Sequence, residues 1–203
     1  MGVIVLTAFA PAAASTIVFN NFGPGDSYAY CGDFLGRFEG CDPENPLAGD
    51  FIPSSNGKFN EVWTAMWHQF GLNEVTLTLL TDQSGSPGTA IWQQTFVDQL
   101  GNDYGSVLHV ADLDGPMLTA GTRYWIRAST PDVVGTVQTW YENDQGDLGS
   151  RAKWEDGRLW IFSNTDRRAL RVGVVPEPST FVLLGVGAAS FLAYAWRRRR
   201  QAA

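Results

Sequence analysis

From Ser15 to about Val174 the apolar positions recur at a spacing of two and not at the helical 3.6. Thr76-Leu77-Thr78-Leu79, Arg123-Tyr124-Trp125-Ile126-Arg127, Val134-Gly135-Thr136-Val137-Gln138-Thr139-Trp140 and Leu159-Trp160-Ile161-Phe162 are β-branched or aromatic runs, several of them alternating, and each predicts a strand. Turn chemistry separates them at Asp82-Gln83-Ser84-Gly85-Ser86-Pro87-Gly88, Asp112-Leu113-Asp114-Gly115-Pro116 and Asp144-Gln145-Gly146-Asp147. Many short strands divided by Gly, Pro and Asp predict an all-β fold, a β-sandwich of immunoglobulin-like or jelly-roll topology. The Cys-Trp-Cys arrangement of an immunoglobulin domain is missing, which favours the jelly-roll-like form.

The two ends of the chain follow other patterns. Val3 to Ala10 is a short apolar run, followed by Pro11 and by Ala12-Ala13-Ala14-Ser15, a small-x-small cleavage pattern. Residues 1–14 therefore read as the back half of a secretory signal peptide. No Lys or Arg precedes Arg37, so the basic start of such a peptide is expected upstream of Met1. At the other end, Thr180 to Trp196 carries no charge. As a helix these residues would reach about 25 Å, enough for one short transmembrane passage. No polar face recurs along them as it would in a helix packed on a soluble domain. Arg197, Arg198, Arg199 and Arg200 follow and would act as a membrane stop, holding the C-terminus in the cytoplasm.

Between body and helix stand Pro176, Glu177 and Pro178, whose fixed φ angles hold an extended segment that presents Glu177 accessibly. Pro-Glu-Pro, a short apolar helix, an arginine cluster and the chain end, in that order, resemble the PEP-CTERM sorting signal of exported bacterial proteins. The resemblance covers Val175–Ala203 and implies recognition by an exosortase, a membrane-embedded cysteine transpeptidase, after transient anchoring in the inner membrane. The expected destination is the outer surface or extracellular matrix of a Gram-negative-type bacterium. The domain reading is thus signal peptide 1–14, β-sandwich body 15–174 and sorting signal 175–203, with the transmembrane helix at 180–196. The body motifs Phe22-Gly23-Pro24-Gly25-Asp26-Ser27-Tyr28, Asn73 to Asp82 with Gly85 and Pro87-Gly88, and Leu118 to Trp125 together resemble the choice-of-anchor R type of bacterial surface domain, a label that records sorting and not activity.

Composition narrows the role of the body. The chain is 44% apolar and 17% charged with 22 Gly and 10 Pro, a turn-rich globular balance that excludes disorder, collagen and coiled coil. Four of the 14 basic residues are Arg197 to Arg200 and one of the 21 acids is Glu177, leaving 10 basic and 20 acidic groups in residues 1–175. So acidic a body argues against nucleic acid as a partner.

Candidate chemistry is sparse. Cys31 and Cys41, the two cysteines, are expected to form a disulfide in an exported chain, clipping the loop Gly32 to Gly40; a metal or catalytic thiol is the alternative, but neither His68 nor His109 stands at zinc-ligand spacing from them. Neither Gly-x-Ser-x-Gly nor His-Glu-x-x-His occurs, and His68 alternates with Val62, Thr64 and Met66 as a core-edge histidine would. Asp112-Leu113-Asp114-Gly115 resembles the start of a calcium loop, but the third ligand is absent and Pro116 follows, so it reads as a turn; calcium at another group of loop carboxylates stays open. No cofactor is implied. Trp63 and Trp67 fall on one face of a strand running from Glu61 to Phe70, opposite Val62 and Met66, where they are covered by neighbouring chain or form a platform for sugar rings. The expected function is a non-catalytic structural or adhesive surface protein. The alternatives are a carbohydrate-binding module that contacts extracellular polysaccharide and a glycan hydrolase using paired carboxylates.

Overall fold

The structure is a computed structural model that describes residues 14–37, 45–104, 106–155 and 157–176, with residues 187, 189–191, 193, 194 and 196–198 in the tail. Residues 1–13 of the expected signal peptide, Cys41, Glu177, Pro178, Arg199, Arg200 and part of the 180–196 segment lie outside the described residues.

Among the described residues the body is built of antiparallel strands in three sheets. The five-stranded sheet has the order β1 (Thr16–Asn20), β14 (Leu170–Val175), β4 (Gly57–Thr64), β8 (Leu108–Val110), with β9 (Met117–Leu118) also paired to β4. The six-stranded sheet runs β13 (Arg158–Asp166), β12 (Leu148–Glu155), β3 (Leu47–Phe51), β10 (Tyr124–Ser129), β6 (Glu74–Gln83), β7 (Ser86–Val97). The three-stranded sheet is β2 (Ala29–Arg37), β11 (Thr136–Glu142), β5 (Met66–Phe70). The all-β expectation holds. Its jelly-roll form expected two sheets, whereas the pairing divides the strands among three. The cause is a break at Ala65, inside the segment read as one strand from Glu61 to Phe70. Its N–H reaches the Ala169 carbonyl and its own carbonyl accepts from Tyr141 N–H at 3.0 Å, so the chain leaves the five-stranded sheet at Thr64 and joins the three-stranded one at Met66.

Strand alternation feeds one core from all three sheets. Val18, Val62 and Val172 come from the five-stranded sheet, Leu47, Leu77, Leu79 and Ile126 from the six-stranded one, and Leu35, Met66 and Trp140 from the three-stranded one. Fully burying one such aliphatic side chain is worth about 1.5–3 kcal/mol. The predicted turns fall between strands as expected. Ser84 (φ 54°) and Gly85 (φ 85°) close the β6–β7 hairpin with two left-handed residues, the conformation that matches strand twist, and Asp82 Oδ2 accepts from Gly85 N–H at 3.0 Å. In the Asp112–Pro116 turn, a Cβ at Gly115 would lie 2.5 Å from the Phe59 ring, which glycine alone avoids.

The link between β13 and β14 ties the sheets together through two arginines. Asp50 of β3 is fully buried and accepts from Arg167 Nε (2.8 Å) and Ser150 N–H (2.9 Å), with Arg123 Nε 3.3 Å away as an ion pair. The Arg168 side chain, 1% exposed, bonds Asp33 of β2, donates to the Trp140 carbonyl at 3.2 Å and lies 3.7 Å from Glu142 of β11. Its aliphatic part crosses Gly49, where an added Cβ would sit 3.1 Å from Arg168 Cγ.

Two features of the sequence reading are not supported. Cys31 is exposed on β2 as a free cysteine, so the Cys31–Cys41 disulfide is not supported; β2 runs on through Cys31 to Arg37 as a strand paired to β11, where the sequence suggested a clipped loop. In the tail, the described residues from 187 to 198 are helical and exposed, Phe191, Tyr194 and Trp196 among them. Among the described residues no helix is long and apolar enough to cross a membrane.

Removing one partner of a buried ion pair strands the other. Asp50→Ala is therefore expected to destabilise the body by about 3–5 kcal/mol, read from urea denaturation. A second expectation concerns acid. Burial alone would raise the Asp33 carboxyl, but the charge and hydrogen bond of Arg168, aided by Arg151 and Lys153, hold it below its ordinary value of 3.8. A lowered folded-state value means that this contribution is present above pH 3.8 and is lost as pH falls further. Asp33→Asn should flatten that part of the acid unfolding curve.

Candidate functional site

The three-stranded sheet has two unlike faces. Leu35, Met66 and Trp140 point into the core. One residue along each strand, the side chains reverse. Tyr30, Gly32 and Phe34 of β2, Thr139 and Tyr141 of β11, and Trp67 and Gln69 of β5 thus share the outer face, and with Tyr104 from the loop after β7 they line an open cavity of about 150 Å³. Gly32 makes its floor: a Cβ there would lie 2.4 Å from the Trp140 carbonyl oxygen.

Aromatic contacts set the walls. Trp67 and Tyr104 meet at 4.1 Å between ring centroids, tilted by 38°. Tyr141 stacks on Tyr28 at 5.3 Å, and Tyr30 meets both edge-on at 5.8 and 6.3 Å. Tyr28 Oη donates to the Tyr104 carbonyl at 2.8 Å, which fixes the loop that carries the Tyr104 ring. Gln69 Nε2 donates to Thr139 Oγ1 at 2.6 Å. Tyr30 is 74% and Tyr104 60% exposed, whereas Tyr141 is buried. The Tyr141 hydroxyl and the Trp67 Nε1–H are both buried without a hydrogen-bond partner among the described residues. Burial pushes the Tyr28 hydroxyl up to about 12, with Tyr141, Tyr30 and Asp103 adding, and Tyr141 is raised by burial and then by Tyr104 and Tyr30.

The tryptophans singled out from sequence do not form one platform. Both sit half-buried on outer faces opposite Val62 and Met66, but in different sheets. Trp63 is covered on its own sheet: the His109 ring stacks on it at 4.2 Å and 5°, and the Arg171 guanidinium lies 5.0 Å from its centroid. His109 Nε2 in turn bonds Glu61 Oε1 at 2.8 Å. Trp67 instead joins the open cavity. His68 Nδ1 pairs with Gln138 Oε1 at 3.0 Å. Asp114 pairs with Lys58, and among the described residues no group of three or more His, Cys, Asp or Glu is placed to hold a metal ion. Buried Asp50 is matched to Arg167 and partly buried Glu142 to Arg151.

The sequence reading missed Tyr30, Phe34, Tyr104 and Tyr141. The spacing of two in Tyr30, Gly32 and Phe34 was a usable signal, hidden because the segment was read as a loop between cysteines.

Comparison with protein families places the PEP-CTERM protein-sorting motif at residues 174–200. The match covers the tail, and the resemblance of the body to the choice-of-anchor R type is not confirmed by it. No curated protein matches. Among solved structures, the cysteine protease and lectin-like domains of Cwp84, a surface layer associated protein of Clostridium difficile, are 11% identical over 66% of this chain and 32% of that chain, with a TM-score of 0.43. The clostridial Cwp84 protease after propeptide cleavage is 11% identical over 66% of this chain and 36% of that one, with a TM-score of 0.41. The chain spans about a third of the length of those proteins, and likenesses this distant carry no argument about activity.

Tyrosine ionisation tests the wall. In a spectrophotometric titration one tyrosine should ionise near pH 12, and Tyr28→Phe should remove that component. Because the folded state holds Tyr28 neutral, stability should fall as pH rises from the ordinary value of 10.0 towards 12.

Proposed function

We propose that this chain is a non-catalytic structural or adhesive component of the bacterial surface or extracellular matrix, delivered there by exosortase processing of its tail. The PEP-CTERM motif implies an exported, exosortase-sorted surface protein. The observation that carries the reading is where that motif begins. Val174 and Val175 still belong to β14, an inner strand of the five-stranded sheet, with Val174 opposite Thr16 and Phe59 and Val175 opposite Lys58. Pro176 follows at once and is exposed. Body and sorting signal therefore abut without a linker, and a cut beyond Val175 releases an intact sheet. The register Thr16 with Val174 also brings the start of the body beside its end, so both junctions leave from one corner. In this reading residues 180–196 anchor the chain transiently in the inner membrane and Arg197 to Arg200 hold the cytoplasmic side.

Carbohydrate binding is the second reading, favoured by the aromatic cavity on the three-stranded sheet. The residues lining that cavity include no carboxylate, so turnover by an acid pair has no support there.

Glu177→Ala is expected to leave full-length protein in the inner membrane of a host carrying the exosortase, with the released form lost, as read by fractionation and immunoblot. Deleting Arg197 to Arg200 should act in the same direction. Normal release of the Glu177→Ala chain would overturn the assignment of that residue to recognition.

A further inference from the structure

We infer that the outer face of the three-stranded sheet is a binding site for a neutral polysaccharide, with one pyranose ring seated among Tyr30, Phe34, Trp67 and Tyr104. The proposal deepens the second reading above by naming its site and ligand class. It does not depend on sorting, so its failure would leave the exosortase assignment untouched.

Three observations point to this ligand. The first is the lining, in which every side chain is aromatic or an uncharged polar group. A charged ligand would meet no counter-charge there, whereas planar rings suit the apolar C–H face of a sugar. The second is the pair of buried polar groups without partners, Tyr141 Oη and Trp67 Nε1. The indole N–H only donates, while the phenol both donates and accepts. A sugar hydroxyl both accepts and donates, so a glycan carries the chemistry that either group lacks. A proline ring would stack on the same aromatics but carries no hydroxyl. The third is size and access. The cavity, at about 150 Å³, is well below the roughly 300 Å³ at which pockets for drug-sized ligands begin, and it is open to solvent, so a ring within a longer chain can enter from the side.

The side chains are also held ready. Tyr28 pins the Tyr104 loop by its hydrogen bond, and Tyr141 is clamped by its stack on Tyr28. That support lowers the ordering cost of binding. Tyr30 and Tyr104 are largely exposed, so these two rings do not fill the core, whereas Trp67 packs against the buried cluster of Phe22, Tyr28, Ala65, Tyr141 and Ala169.

The test uses the full-length chain purified in a zwitterionic detergent that carries no sugar headgroup. It is titrated with soluble neutral glucans, mannans and galactans, with acidic polysaccharides and with a proline-rich peptide, following tryptophan fluorescence. Saturable binding of a neutral glycan is expected. Tyr30→Ala and Tyr104→Ala should each weaken it by about tenfold, the loss of one aromatic stack, with an unchanged melting temperature. Tyr141→Phe separates ligand contact from packing: it should weaken binding while the melting temperature stays level or rises, because a buried hydroxyl without a partner is removed. Absence of neutral-glycan binding overturns the proposal, as does preference for the acidic polymers or the peptide, or unchanged affinity in both alanine variants.

Discussion

Arg167 and Arg168, adjacent in sequence, connect all three sheets. One guanidinium meets Asp50 in the six-stranded sheet and Asp147 after β11; the other turns the opposite way to Asp33 and Glu142 in the three-stranded sheet. The backbone between them and β14 is used just as fully. Asn21 Nδ2 donates to the Arg168 carbonyl while its Oδ1 accepts from Leu170 N–H, and the Ala169 carbonyl takes the Trp140 indole N–H. Charges taken out of water must be paired, and each pairing here fixes the position of a different sheet. The gain lies in geometry more than in net free energy, since a well-packed apolar substitute could be as stable but would not set which carboxylate faces which strand.

That geometry shapes the surface. Asp33 can reach Arg168 only if β2 lies beside β11, and the same placement turns Tyr30, Gly32 and Phe34 outward, next to Thr139, Tyr141 and Trp67. The Ala65 break contributes from the other edge, because it moves Trp67 off the sheet that holds Trp63. One tryptophan ends under a histidine and an arginine, and its neighbour four residues on opens into a cavity.

The sorting motif and the aromatic cavity reside in separate parts of the chain. The tail carries the sorting motif in a few consecutive residues, and β14 leads into it without a spacer. The body presents its aromatic face on a different sheet from the one joined to the tail. The cut proposed above, beyond Val175, would therefore leave the aromatic face as it was.

Much of this was legible from sequence, and the legible part is the local part. The strands around Thr76–Leu79 and Tyr124–Ile126, the Ser84-Gly85 turn and the Pro-Glu-Pro, helix and arginine order depend on residues near one another in the chain, so periodicity and turn chemistry reveal them. The candidate site does not. Its side chains come from positions 30–34, 67–69, 104 and 139–141, brought together by strand pairing across more than a hundred residues. Nothing in residues 61–70 announced the break at Ala65, because alternation continues through it. Nor did composition show that Asp50 would find Arg167 or that Cys31 would lie on a paired strand. Side-chain order along the chain decided which positions could be strand or tail; only the packing of sheets around buried ion pairs decided which aromatic rings met, because that depends on register between distant strands.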